Sequence, residues 1–157
     1  MAEGSLDAVY RYLVFLTKNP GLAEDLTAET FERALRAWRR YDPHRGTPVA
    51  WLCQIARSAA LDHFRADARR RRREETYARD DGDSAEPLFG EGFSPELEAA
   101  LATLSAAERE AIALRVVLEL DGASAARLLG ISETACSTRL SRALHKLEER
   151  METNALA

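Results

Sequence analysis

Gly130-Ile131-Ser132-Glu133-Thr134-Ala135-Cys136-Ser137-Thr138-Arg139-Leu140-Ser141-Arg142 is the stretch on which the reading of this chain turns. Ahead of it, Leu120 to Leu129 carries the small and apolar residues of a short helix, with Asp121 placed to cap it. Gly130 breaks that helix, and Ser132 stands where it would cap a second one running toward Arg150. A short helix, a glycine turn and a longer capped helix make a helix-turn-helix, whose second helix typically enters the DNA major groove. Helical spacing turns Cys136, Leu140, Ala143, Leu144 and Leu147 inward. Thr134, Ser137, Thr138, Ser141 and Arg142 then face outward, with Arg139 close to the same surface. Hydroxyls and guanidinium groups there can meet base edges or phosphates, and Glu133 can accept from a cytosine amino group. DNA is the leading candidate ligand.

The charge balance first points the other way, because the 157 residues sum to −4. Residues 1–73 hold 14 Lys and Arg against 9 Asp and Glu, a net of +5, and end in Arg69-Arg70-Arg71-Arg72-Arg73. Residues 74–100 hold 1 against 9, and residues 101–157 hold 7 against 8. The acid excess therefore lies in one middle segment, and attraction to phosphate depends on where the charge sits. No apolar run reaches membrane-spanning length, and the N-terminus lacks a signal pattern, so a soluble cytoplasmic protein is expected. Cys53 and Cys136 stand alone inside predicted helices, without the Cys/His spacing of a zinc site.

The apolar period predicts helices over Leu6–Lys18, Leu22–Arg40 and Val49 to about Arg70, the last entered through Thr47-Pro48. In the second, Leu22, Leu26, Thr30, Ala34 and Trp38 recur every four residues with Phe31 and Leu35 alongside, and core packing is expected for Trp38 and Trp51. Its opposite face carries Asp25, Glu29, Glu32, Arg33 and Arg36. Between the second and third helices, 41–47 is a loop with two strong breakers, Pro43 and Gly46. The third helix would bury Leu52, Ile55, Ala56 and Ala59 and leave Gln54, Ser58, Leu61 and Arg65 on a more exposed face. Periodicity fails from Glu74 to Phe93. It returns at Ser94-Pro95, and Ser105-Ala106-Ala107-Glu108 matches a capping box that starts a helix through about Leu118.

The expected architecture is all-α, with two small helical domains. Residues 1–73 form a three-helix unit, 74–93 a flexible acidic linker, 94–152 the helix-turn-helix unit and 153–157 a tail. A search for catalysis is empty: His44, His63 and His145 lie far apart with no nucleophile constellation, and no phosphate-binding glycine loop is present. Neither an enzyme nor a cofactor is expected.

Three blocks carry a resemblance to a family. They are 23–31 (AEDLTAETF) continuing to Trp38, 48–57 (PVAWLCQIAR) continuing through Arg65, and 128–133 (LLGISE) through Ala143. In order and spacing they resemble the extracytoplasmic-function sigma factors, the small promoter-recognition subunits of bacterial RNA polymerase. The resemblance implies that Asp25, Glu29, Glu32, Arg33 and Arg36 dock on the clamp helices of core RNA polymerase. It implies that His44, Arg45, Thr47, Gln54, Arg57, Ser58 and Arg65 open the promoter −10 element and capture a flipped base. The helix-turn-helix, through Glu133, Thr134, Ser137, Thr138, Arg139, Ser141 and Arg142, would read the −35 element of the promoter DNA. An anti-sigma factor is implied as regulatory partner, and the free chain would be a monomer.

Four positions depart from the family: Ala28 where Gln is common, Ser58 where Asn is common, and Ser137 and Leu144 where basic residues are common. The missing charges imply weak DNA affinity without polymerase. The family usually has another helix ahead of the equivalent of Leu6, so the N-terminus is expected to be short. Two other readings compete with the sigma factor. A stand-alone helix-turn-helix regulator would bind duplex tightly as a dimer, and a degenerate sigma-like adaptor would bind polymerase without starting transcription.

Overall fold

The computed structural model describes residues 2–73 and 87–156, and all the regular structure among them is helical. The first three helices are α1 (Ala2–Thr17), α2 (Pro20–Ala37) and α3 (Pro48–Arg73). The second group is α4 (Pro95–Ala102), α5 (Ala106–Ile112), α6 (Gly122–Leu129) and α7 (Glu133–Leu156). A 3-10 turn, Trp38–Arg40, follows α2, and a widened π turn, Ala113–Val117, follows α5. The helix expected to run to about Leu118 thus changes hand-hold at Ile112. The Leu118 N–H reaches back five residues to the Ala113 carbonyl at 2.8 Å, and Glu119 then takes a left-handed φ of 54°.

Side-chain caps set most of the helix starts, as their residue types predict. Asn19 accepts from the Leu22 N–H (3.1 Å), Thr47 from Ala50 (3.2 Å), Ser94 from Leu97 (3.1 Å) and Ser132 from Ala135 (3.0 Å). Asp121 accepts from Ser124 at 3.3 Å, a bond that lowers its carboxyl below the usual range. Each such cap stabilises its helix by roughly 1 kcal/mol. At α5 the capping box is complete: Ser105 Oγ accepts from Glu108 N–H, and Glu108 Oε1 accepts from Ser105 N–H at 2.8 Å. The same carboxylate meets Lys146 Nζ at 3.2 Å, which ties α5 to α7. Burial alone would raise the Glu108 carboxyl, but these bonds hold it below its ordinary value.

Gly130 ends α6 with φ at 69°, and its N–H bonds the Arg127 carbonyl at 3.2 Å. A Cβ there would meet nothing within 4 Å, so only the backbone conformation demands glycine. Gly130→Ala is expected to lower stability by about 1 kcal/mol, read as a shifted urea midpoint with an unchanged slope.

The core is continuous across both groups of helices. Tyr12, Leu13, Phe15, Leu26, Cys53 and Ala56 belong to the same buried cluster as Leu101, Leu114, Leu128, Cys136 and Ala143. The segment 87–93, expected as the end of a flexible linker, is packed instead. Phe89 is 2% exposed, its ring 5.1 Å from that of Phe15, and Phe93 meets Phe15 edge-on at 6.5 Å. The Glu98 carboxylate accepts the backbone N–H groups of Leu88, Phe89 and Gly90 at 3.0–3.2 Å. Leu88, Phe89 and Phe93 are large apolar residues whose burial outweighs the acidic composition around them. The acidic stretch 74–86 lies outside the described residues.

Two other expectations are corrected. Leu35 and Trp38, assigned to the buried stripe of α2, are 76% and 64% exposed. Leu26, Thr30 and Ala34 do face the core, but α2 gives way to the 3-10 turn at Trp38, which swings that ring off the stripe. Leu144, expected inward, is 39% exposed, because Cys136 and Ala143 already fill the seam of α7.

Candidate nucleic-acid interface

On α2, Asp25, Glu32 and Arg36 are exposed and Glu29 and Arg33 are half-buried. Helical i,i+4 spacing pairs Arg36 with Glu32 at 2.7 Å and Arg33 with Glu29 at 2.7 Å. Arg33 also reaches Asp62 of α3 at 3.3 Å. Burial would lower its guanidinium pKa, and the two carboxylates more than reverse that, so Arg33 is partly a strut between helices.

The loop 41–47 is shaped by its own side chains. Tyr41 Oη donates to the Gly46 carbonyl at 3.1 Å, and the Tyr41 ring lies 5.3 Å from Trp51 at the start of α3. Asp42 accepts the His44 N–H at 2.9 Å in an Asx turn. The result presents His44, Arg45 and Thr47 outward. Along α3, Gln54, Ser58 and Arg65 are exposed and continue the same surface, and Arg69–Arg73 form its exposed basic end. Trp51 is half-buried against the core, as expected.

Arg57 departs from the sequence reading. Its side chain is only 27% exposed, and Nε donates to Glu110 Oε2 of α5 at 2.9 Å. The same carboxylate oxygen accepts from Tyr12 Oη. Glu110 is 3% exposed, so this carboxylate is buried between the two helix groups, and Arg57 turns toward it and away from the open surface of Gln54, Ser58 and Arg65. Burial first, and the neighbouring Glu110 charge second, push the Tyr12 hydroxyl well above its ordinary pKa, and it stays a donor. Beside it, Arg109 donates to the carbonyls of Phe15 (2.6 Å), Leu16 (3.3 Å) and Leu104. Lys18 Nζ bonds the Ala102 carbonyl at 3.3 Å, and Arg127 of α6 donates to the Arg45 carbonyl. A cleft between Tyr41, Arg45, Trp51 and Gln54 on one side and Ser124 and Arg127 on the other marks where α6 faces the loop. Sequence reasoning missed Tyr12, Arg109 and Glu110. The available signal was weak: Arg109 and Glu110 directly precede the apolar stretch Ala111 to Leu114.

On α7, Glu133, Thr134, Ser137, Thr138, Ser141 and Arg142 are all exposed and Arg139 is half-buried beside them. Cys136, one helical step behind, is buried and fixes the rotation of the helix. Thr134, Ser137, Thr138 and Ser141 leave most of this face neutral. Only Arg139 and Arg142 offer positive charge at its centre.

Against known proteins, the chain matches the Sigma-70 region 2 model over residues 1–71 and the Sigma-70 region 4 model over residues 94–147. It is 34% identical over 155 residues to the ECF RNA polymerase sigma factor BldN of Streptomyces coelicolor, covering 95% of this chain and 58% of that protein. It is 32% identical over 149 residues to the ECF RNA polymerase sigma factor SigM of Bacillus subtilis, covering 91% of this chain and 88% of that one. The sigma factor RpoE of Bartonella quintana, solved with its anti-sigma factor NepR, superposes with a TM-score of 0.82 at 25% identity, over 94% of this chain and 92% of that chain. The boundaries of the two matched regions fall on the two helix groups, and the exposed face of α7 lies inside the second. The chain belongs to the extracytoplasmic-function family of sigma-70-type RNA polymerase sigma factors.

Proposed function

We propose that this chain joins core RNA polymerase and directs it to a promoter by reading two elements, as a regulatory subunit rather than an enzyme. Asp25, Glu29, Glu32, Arg33 and Arg36 form the polymerase-docking face. His44, Arg45, Thr47, Gln54, Arg57, Ser58 and Arg65 meet the −10 element. Holding a base out of the duplex stack costs a few kcal/mol, which contacts to the flipped base and to polymerase offset. Glu133, Thr134, Ser137, Thr138, Arg139, Ser141 and Arg142 read the −35 element. The observation that carries this reading is the presence, in one chain and in this order, of an exposed loop-and-helix surface and a capped helix with an exposed polar face, inside the stretches that match Sigma-70 regions 2 and 4. Its work is done in the cytoplasm, where the polymerase is. An anti-sigma factor is the expected regulator, since the Bartonella quintana relative was solved with one.

The charge-poor face of α7 supports dependence on polymerase. Each phosphate contact contributes to affinity and to its salt dependence, and few are on offer here. The test is transcription of genomic DNA by purified core polymerase with and without the chain. New discrete start sites are expected. Polymerase binding without new starts would favour the adaptor reading, and tight duplex binding without polymerase would favour the stand-alone regulator.

A further inference from the structure

We propose that the cleft between the 41–47 loop and α6 is a binding site for a free nucleoside diphosphate. It stands apart from the sigma reading, which gives Arg40, Ser124 and Arg127 no task, and either can fail without the other. The cleft encloses about 280 Å³, the lower end of the range for small-molecule sites. Arg40, Arg45 and Arg127 line it, and all three are exposed. Among the described residues that line it, Asp42 is the one carboxylate. Asp42 does little to quench them: one of its oxygens accepts the His44 N–H at 2.9 Å, and the other stands 3.9 Å from Arg45 Nε. Like charges gathered in one cleft repel one another, and a bound anion replaces that repulsion with attraction. Arg127 is held in place by its bond to the Arg45 carbonyl, which aims it at the loop. A guanidinium carries five N–H donors, so others are left for a phosphate oxygen.

The same cleft offers partners to a base. Tyr41 and Trp51 line it, their rings 5.3 Å apart and tilted by 49°. Both rings are fixed before any ligand arrives: Trp51 is packed against the core, and Tyr41 Oη donates to the Gly46 carbonyl at 3.1 Å. Flat aromatic faces hold nucleobases by stacking, with little preference among them. Gln54 is exposed at the same wall, and its amide can both donate to and accept from a base edge. Ser124 adds a hydroxyl from α6 that suits a sugar or a phosphate oxygen. The enclosed volume suits a base and its sugar, which leaves the phosphates at the open rim among the arginines. A diphosphate gives three guanidinium groups more charge and more acceptor oxygens than a single phosphate does.

Calorimetric titration of the full chain with ADP and with GDP at low salt tests the proposal. At least one of them should bind saturably, with a Kd below about 1 mM. Arg127→Ala should weaken that binding about tenfold, the loss of one charge-assisted bond. Arg150→Ala removes the same charge from an exposed position near the C-terminal end of α7 and should leave binding unchanged. Pyrophosphate, which has no base to stack, should bind about tenfold more weakly than the nucleotide. No saturable binding by either nucleotide overturns the proposal, whether or not the variants fold. Equal losses in Arg127→Ala and Arg150→Ala would reduce the effect to general charge and overturn it too, as would pyrophosphate binding as tightly as the nucleotide. Nucleic acid carries the same phosphates and bases, so a mixed-sequence single-stranded DNA hexanucleotide is added at equal concentration. The nucleotide should stay bound. Its displacement would make the cleft part of the promoter surface and overturn a site for free nucleotide.

Discussion

Arg109→Ala is expected to lower the free energy of unfolding by about 3 kcal/mol, the largest single-residue loss we foresee in this chain. Arg109 is 6% exposed and gives its guanidinium to three carbonyls, those of Phe15, Leu16 and Leu104. Phe15 and Leu16 lie in the last turn of α1, where carbonyls have no partner within the helix. The positive charge also opposes the negative end of the helix dipole. Burial lowers the Arg109 pKa, but an arginine still carries its proton at any working pH. Truncation would leave these acceptors buried and unpaired. For a chain of this size the melting temperature should fall by about 10 °C. Arg109→Lys should recover only part of the loss, since an ammonium lacks the planar fork that spans three acceptors. Denaturant unfolding of the three proteins checks both statements, and a loss under about 1 kcal/mol for Arg109→Ala would mean that water replaces the guanidinium at no great cost.

Asp25→Lys combined with Glu32→Lys is expected to weaken core-polymerase binding by about two orders of magnitude, some 2.7 kcal/mol. Both carboxylates are exposed on the docking face proposed for α2. Arg33 is the poorer target. Its bonds to Glu29 and Asp62 brace α2 on α3, so reversing it would disturb the fold as well as the surface. Among the described residues Glu32 is paired only with the exposed Arg36, a surface ion pair worth little to stability. The double variant should therefore melt close to wild type while failing to pull down polymerase. Undiminished capture at moderate salt would remove α2 from the interface.

Local chemistry was the legible part of this molecule. Ser105, Asp121 and Ser132 were assigned as caps from residue type and neighbours, and each accepts the expected backbone N–H. The outward set on α7 followed from helical period, because the buried Cys136 and Ala143 fix the rotation. Trp38 shows where periodicity fails. It continues a four-residue repeat in the sequence, but the helix tightens at its last turn and the side chain leaves the stripe. Phe89 shows how composition misleads, since three apolar side chains in an acidic segment suffice to dock it. The contact of Glu110 with Tyr12 and Arg57 was out of reach for a different reason. Those partners lie 98 and 53 residues away, and nothing in the local pattern records which charge will meet which.

Cys53 is wholly buried, and burial pushes its thiol up to about 12. Thiolate is the species that oxidants and disulfides attack, so at neutral pH almost none is present to react. Cys136 is shielded in the same seam that sets the reading helix. Neither thiol of the folded chain is open to an oxidant or a disulfide partner. A thiol-directed stress that governs its genes would therefore be sensed outside these two cysteines, by a partner molecule.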